Sequence, residues 1–480
     1  MRRTSTVAAL AATLLITGCT AADKDKPAPA ASTTGETKID YSAWAAGRST
    51  PVADQLYPEK GNAGLDVLHY GLELDWKPDT KVLTGTATLR IRPVADAGEL
   101  KLDFTGLAVD RVTVDGKAAT GTVEKGKLVV PGAVTADRPV TLTVAYHGTP
   151  KQVEMPSHRG DASEGIGMRS SKDGVLWTMQ EPWGALTWYP VNEHPSDEAL
   201  YDLAVTVPQG WAAAASGTPG PIEGSTYRYR SVDPVAAYVT TLAVDRYKRI
   251  EQTGPHGLKI THFVVPKSDD RYLSTLKKTP KLIEWLEKRF GPYPYPSAGA
   301  LMNGSISAME TQQMLSMGRA AFTESDLREF EAVLVHEYAH QWFGNAVTPK
   351  TWTDLWLNEG FATYVQNLYE QELYGFDDAY LEKYLREADA RLRKRVGPPG
   401  KPTAGTFAES NVYVCPAAML KELNDALGDE KFFALAAAWV EKNRNTNQDR
   451  ASFTAFVNEQ TGKDFTKLID AWLDSPTTPA

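Results

Sequence analysis

Only two cysteines, Cys19 and Cys415, occur in 480 residues, so any disulfide would have to join the extreme N-terminus to a residue far along the chain. An uninterrupted apolar stretch long enough to span a bilayer is also missing. The best run, Val7 to Ile16 after Met1-Arg-Arg, is too short for a membrane span and has the form of a signal-peptide core. Basic charge is not in excess: 51 Lys and Arg against 60 Asp and Glu leave a net charge of -9, which gives no support to nucleic-acid binding. Histidine is scarce, with eight in the chain, so two of them four residues apart stand out.

Those two are His336 and His340, within His336-Glu-Tyr-Ala-His340. Apolar residues at Leu327, Phe330, Leu334 and Trp342 have roughly helical spacing, and Gly344-Asn345 supplies a stop. On a helix, residues four apart share a face, so both imidazoles can meet one cation with Glu337 beside it. After eighteen intervening residues, Glu359 lies in a second amphipathic stretch beginning at Trp352, able to pack across the first and add a carboxylate oxygen. Two His and one Glu leave a fourth position open, the arrangement of a catalytic zinc site rather than a structural one. The competing reading is a pair of core histidines with a salt-bridged Glu.

The block from His336 through Gln341-Trp-Phe-Gly-Asn345 to Trp356-Leu-Asn-Glu-Gly-Phe-Ala362 resembles the zinc aminopeptidase family of membrane alanyl aminopeptidase and the leukotriene-hydrolysing enzyme, the gluzincins whose third ligand is a second Glu. The resemblance implies one Zn2+ per chain held by His336, His340 and Glu359, with Glu337 as general base. Upstream, the family's Gly-x-Met-Glu-Asn strand has its counterpart in Ser307-Ala308-Met309-Glu310-Thr311. This implies that Ala308 and Met309 lie along the substrate and that Glu310 binds its α-amine, although Ser307 and Thr311 depart from the family's Gly and Asn. Thr178-Met-Gln-Glu181, followed by Trp188-Tyr-Pro190, resembles the segment bearing a second amine-binding carboxylate and points to Glu181. Tyr413-Val-Cys-Pro-Ala-Ala-Met-Leu420 matches the stretch holding the family's oxyanion-binding tyrosine, with Cys415 and Pro416 in place of Lys and Gly. A core role for Tyr413 is the alternative. Asp354 is read either as orienting a metal ligand or as a first-turn carboxylate favoured by the helix dipole.

Around this site the sequence suggests a multidomain chain, an all-β saddle-like N-terminal domain followed by an α+β thermolysin-like peptidase domain. Residues 1–18 are expected to be a lipoprotein signal ending at Thr17-Gly18, with Cys19 lipidated and the enzyme tethered outside the cytoplasm; a plain secretory signal is the rival. Residues 19–59, rich in Ala, Pro, Thr, Lys and Asp, read as a flexible tether. Alternating runs such as Tyr70-x-Leu72-x-Leu74-x-Trp76 and Leu142-x-Val144-x-Tyr146 mark strands in a β domain over 60–250. The catalytic domain is expected over 251–475, with helices at Leu276 to Phe290, Tyr380 to Arg395 and Phe432 to Lys442. The basic run Arg391-Leu-Arg-Lys-Arg395 reads as a solvated helix end. Large family members continue past the point matching Trp472-Leu473 into a β and a helical domain that roofs the cleft. A more open cleft, or one covered by dimerisation, is therefore expected.

The expected activity is removal of N-terminal residues from peptides by zinc-activated water. Within the same chemistry an endopeptidase or narrow-specificity peptidase is the alternative, and outside it a non-catalytic surface binding protein. Substrate side-chain preference and oligomeric state are not legible.

Overall fold

Alternation of apolar and polar residues builds the N-terminal half as expected. In the computed structural model, which describes residues 40–322 and 327–480, Tyr70, Leu72, Leu74 and Trp76 all point into the core along strand Leu65–Lys77. That strand lies at the centre of a nine-stranded sheet, pairing antiparallel with Val82–Pro93 and parallel with Glu198–Thr206. Leu142, Val144 and Tyr146 of Val140–Gly148 face the same core. A four-stranded sheet, running Ala212–Ala215, Leu242–Asp245, Leu176–Met179 and Gly167–Ser170, carries Glu181 just beyond its third strand.

A mixed five-stranded sheet follows, in the order Lys248–Thr253, Lys259–Val264, Ser297–Asn303, Leu315–Gly318 and Ala308–Met309. Its first strand crosses the boundary expected at residue 250, because Lys248–Thr253 pairs along its length with Lys259–Val264 through the turn at Gly254-Pro255. The longer helices are α1 (Thr279–Phe290), α2 (Leu327–Ala339), α3 (Trp356–Tyr374), α4 (Asp378–Val396), α5 (Ser410–Leu427), α6 (Asp429–Asn443), α7 (Arg450–Thr461) and α8 (Thr466–Asp474). None of the helices among the described residues is long and apolar enough to cross a membrane.

Two expectations are corrected. Residues 41–59, assigned to the tether, are packed against the body of the protein. The short helix Tyr41–Gly47 lays Trp44 against His69 and under the Arg90 guanidinium. Asp54 accepts hydrogen bonds from Leu56 and Tyr57 N–H and, across the molecule, from Trp352 N–H at 2.8 Å. A few anchoring side chains suffice to order a stretch whose average composition reads as linker. One residue of the basic run is the second correction: Arg391, Lys394 and Arg395 are exposed at the helix end as expected, but Arg393 is only 3% exposed, pairs with Asp389 at 2.7 Å and donates to the carbonyls of Trp472 and Ser475. It fastens α4 to the end of the chain. The signal segment and Cys19 lie outside the described residues.

Candidate active site

Helix α2 brings Val333, His336, Glu337 and His340 toward one cavity, then ends in a widened turn over Gln341–Asn345. Gly344 in that turn has φ +126°, and a Cβ there would come within 3.1 Å of the Asn358 side chain, so this family-like glycine sits where no other residue fits without strain. Tyr238, from the β-rich half, ties both metal-bearing segments together. Its hydroxyl donates to the Gly344 carbonyl and accepts from Asn358 Nδ2, each at 3.1 Å. Phe343 stacks on Phe361 of α3 with ring centroids 4.3 Å apart. At the neighbouring position of α3, a Cβ at Gly360 would lie 2.5 Å from Pro416 Cβ, so the glycine lets α5 approach closely.

These contacts converge three donor atoms. His336 Nε2 and His340 Nε2 are 3.1 Å apart, and Glu359 Oε2 lies 3.4 and 3.3 Å from them. Tetrahedral zinc with bonds of about 2.0–2.1 Å separates its ligands by about 3.3 Å, so the triangle has the right size for the ion. Glu359 Oε2 is buried without a hydrogen-bond partner, as expected of an atom reserved for a metal. His340 Nδ1 lies 3.1 Å from the Phe343 carbonyl, an orientation that turns Nε2 toward the centre. Burial pulls the His340 imidazole down, yet Glu359 and Glu310 outweigh it and push it up to about 10, a measure of how strongly the cluster demands positive charge. Zinc therefore fits the residues present.

Glu337 is buried beside this triangle. Desolvation raises its carboxyl well above the usual range, and the negative Glu310, Glu359 and Glu181 add to the effect, against the pull of His340. That is the environment of a group able to accept and return a proton. The Tyr413 ring lies nearly parallel to that of His336, 16° apart in plane with centroids separated by 6.2 Å. Burial and the Glu359 charge hold its phenol far above the ordinary value, so it stays protonated and keeps a hydrogen to donate.

Glu181, Glu310 and Glu359 form a second cluster, with carboxylate oxygens within 4.8 Å of one another. Glu181 Oε1 and Glu310 Oε1 are buried and lack hydrogen-bond partners. The Glu310 backbone is fixed from the turn after α2, its carbonyl accepting from Gln341 Nε2 at 2.9 Å and Asn345 Nδ2 at 2.8 Å. Ala308 and Met309 form a two-residue edge strand along the same cavity, about 520 Å³ in volume. Ser307 also lines it, its hydroxyl bonded to the Ala308 carbonyl, whereas the Thr311 hydroxyl is spent on the Met314 carbonyl. Thus all nine candidate residues meet at one site.

Asp354 does not join them. It accepts from Thr351 and from the Arg450 N–H, bracing α7, so the reading in which it orients a ligand is set aside. Arg159 is the residue sequence reasoning missed. It lies in a Gly-, Ser- and Pro-containing loop with no periodicity, and nothing in such a segment signals that its guanidinium reaches Glu181 Oε2 at 2.6 Å.

A peptidase family M1 domain matches residues 274–472. The chain is 24% identical over 443 residues to the tricorn protease-interacting factor F2 of Thermoplasma acidophilum, covering 87% of this chain and 54% of that protein. It is 23% identical to aminopeptidase N of Streptomyces lividans, over 86% of this chain and 50% of the relative. It thus spans about half the length of the curated relatives it matches. Among solved structures, the M1 zinc metallopeptidase of Deinococcus radiodurans superposes with TM-score 0.76 at 26% identity, covering 90% of this chain and 98% of that one. Yeast LTA4 hydrolase shares the fold with TM-score 0.72, at 20% identity, over 87% of this chain and 69% of that one. With the M1 domain matched, the fold shared nearly end to end with a two-domain relative and a donor triangle that fits zinc, the chain carries a peptidase family M1 domain and shares the fold of M1 zinc metallopeptidases.

Proposed function

We propose that the protein is an aminopeptidase that removes the N-terminal residue of short peptides. The observation that carries this reading is the pair of buried, unpartnered oxygens of Glu181 and Glu310 beside the metal triangle, since buried negative charge is tolerated where a cation pairs with it. A peptide's ammonium is a cation of the right size, and fixing it places the first peptide bond over His336, His340 and Glu359.

Zinc, when bound there, supplies Lewis acidity for both a water and the scissile carbonyl. Glu337 takes the proton from the attacking water and later delivers it to the leaving amine. Tyr413 donates its phenolic hydrogen to the developing oxyanion. Ala308 and Met309 hold the substrate backbone along the edge of the five-stranded sheet. The Deinococcus relative, a mutant of which is known with a Tyr-Ser-Ala substrate bound, supports peptides of this length.

Anchoring to a membrane through a lipid on Cys19, outside the cytoplasm, belongs to the same proposal; it rests on Thr17-Gly18-Cys19 after the apolar run Val7 to Ile16. The deciding comparison is hydrolysis of a free tripeptide against its N-acetylated form. Fast, chelator-sensitive turnover of the free peptide alone is the expected result. Equal rates on both would replace the aminopeptidase reading with internal cleavage.

A further inference from the structure

Between the β-rich half and the helices, one loop leans over the amine end of the cavity. Its base is closed by the antiparallel bridge between Val153 and Ile166, whose backbone groups exchange two hydrogen bonds of 2.9 Å. Three further contacts hold it down. His158 N–H donates to the Gly405 carbonyl at 3.1 Å, just before α5. Glu164 Oε2 accepts from the Ser305 hydroxyl at 2.6 Å and the Ile306 N–H at 3.1 Å, just before the edge strand. Arg159 Nη1 donates to Glu181 Oε2 at 2.6 Å.

The guanidinium itself is immobilised. Asp161 takes Nε at 2.6 Å and Nη2 at 3.0 Å in a two-point pairing, and the Arg159 side chain is 14% exposed. A planar fork held on one edge has little freedom to aim the other, so the position of Asp161 sets where Glu181 sits. Of the two Glu181 oxygens, Oε2 is consumed by Arg159 and Oε1 remains, buried and unpartnered, within reach of Glu310. Without Arg159, Glu181 would face the carboxylates of Glu310 and Glu359 at close quarters with like charge.

Resting on the aminopeptidase reading above, we propose that the loop 154–165 is the cover over the amine end of this cleft, and that Arg159 is a positioning residue which makes a free N-terminal amine a requirement by holding Glu181 in register with Glu310. The cover is built from the chain's own β-rich half and pinned to both peptidase segments that flank the cavity, so the loop itself closes the end of the cleft beyond the first substrate residue. Arg159 acts through Glu181 rather than on the scissile bond. Its loss should therefore be felt in substrate capture.

The test uses the full mature chain with zinc content measured in every sample, and kcat and KM for a free tripeptide and its N-acetylated form. Arg159→Gln is expected to raise KM for the free peptide by about 10–100-fold, with kcat changed less than about threefold and zinc retained. Preference for the free over the acetylated peptide should shrink by a similar factor, and Arg159→Lys should recover part of it. Should Arg159→Gln fail to fold, Asp161→Asn, which leaves Arg159 in place but loosens its aim, is expected to show the same split at smaller size. An unchanged KM and preference in Arg159→Gln would overturn the proposal, as would parallel losses of kcat and zinc in Asp161→Asn. If the wild type itself cleaves both peptides equally, the aminopeptidase reading falls instead, so the two failures are told apart.

Discussion

Glu337 directly follows one ligand, His336, and is separated by two residues from another, His340, yet its job differs from theirs: it moves a proton. Glu337→Gln keeps the shape and a hydrogen-bonding head but cannot take that proton. A fall in kcat of about 10²–10⁴-fold is expected with zinc and peptide binding retained. An active variant with full zinc would remove Glu337 from the proposed mechanism. Tyr413→Phe deletes one donor and should lower kcat by about 10²–10³-fold with KM nearly unchanged. Away from the site, Glu193 is 1% exposed, accepts from the Leu186 N–H and faces Asp103. Burial, with Asp103 adding to it, pushes its carboxyl up to about 8 from an ordinary 4.5. The folded state thus holds this proton more tightly than the unfolded one, so the stability it contributes is complete below pH 4.5 and is lost as pH rises through about 8. Glu193→Gln should flatten the decline of Tm between pH 5 and pH 8 relative to wild type. Parallel Tm curves for the two proteins across that range would contradict this.

At the scale of elements, the metal ligands are only as well placed as the helices that bear them. The approach of α5 to α3 passes through Gly360 and Pro416, with no room for a methyl group between them. Gly360→Ala should force the helices apart and destabilise the fold by about 1–3 kcal/mol, read as a lower urea midpoint, with weaker zinc retention because Glu359 is the adjacent residue. Sequence made α2 and α3 legible because both carry amphipathic spacing together with chemistry-bearing residues at fixed offsets. Helix α5 was harder: Pro416 inside it is a residue that ordinarily ends helices, and only the tyrosine's place in a family-like stretch marked it. Arg393 shows the opposite failure. A run of basic residues looks solvated until the carbonyls of Trp472 and Ser475, some eighty positions on, fold back to meet one of them.

For the whole molecule, the packed N-terminal segment sets a limit that composition concealed. A chain beginning at residue 60 would lack Trp44 on the large sheet and the Asp54 carboxylate that caps Trp352 N–H. It should melt several degrees below a chain beginning at residue 40, consistent with about 1–3 kcal/mol for a buried donor left unmade. Removing zinc with a chelator should lower Tm further, in a way that added zinc restores, because an ion bound by the folded state alone stabilises it by mass action. The β architecture of residues 60–250 was legible from period-two alternation, and the metal triangle from two motifs. What sequence could not supply was the meeting of distant charges, Arg159 with Glu181 above all, since no local pattern encodes a contact closed by tertiary folding.

Tyr238 gives that meeting of distant parts a practical edge. Its one hydroxyl joins the turn after His340 to the helix of Glu359, yet it belongs to the β-rich half. A hybrid enzyme assembled from this peptidase half and the N-terminal half of a distant relative would therefore inherit every ligand and still misplace them, unless the donor also brought a phenol to the same spot. Recombination among such proteins has to respect a seam that runs through the active centre itself, and a library of half-swapped variants should retain zinc turnover only where that tyrosine travels with its acceptors.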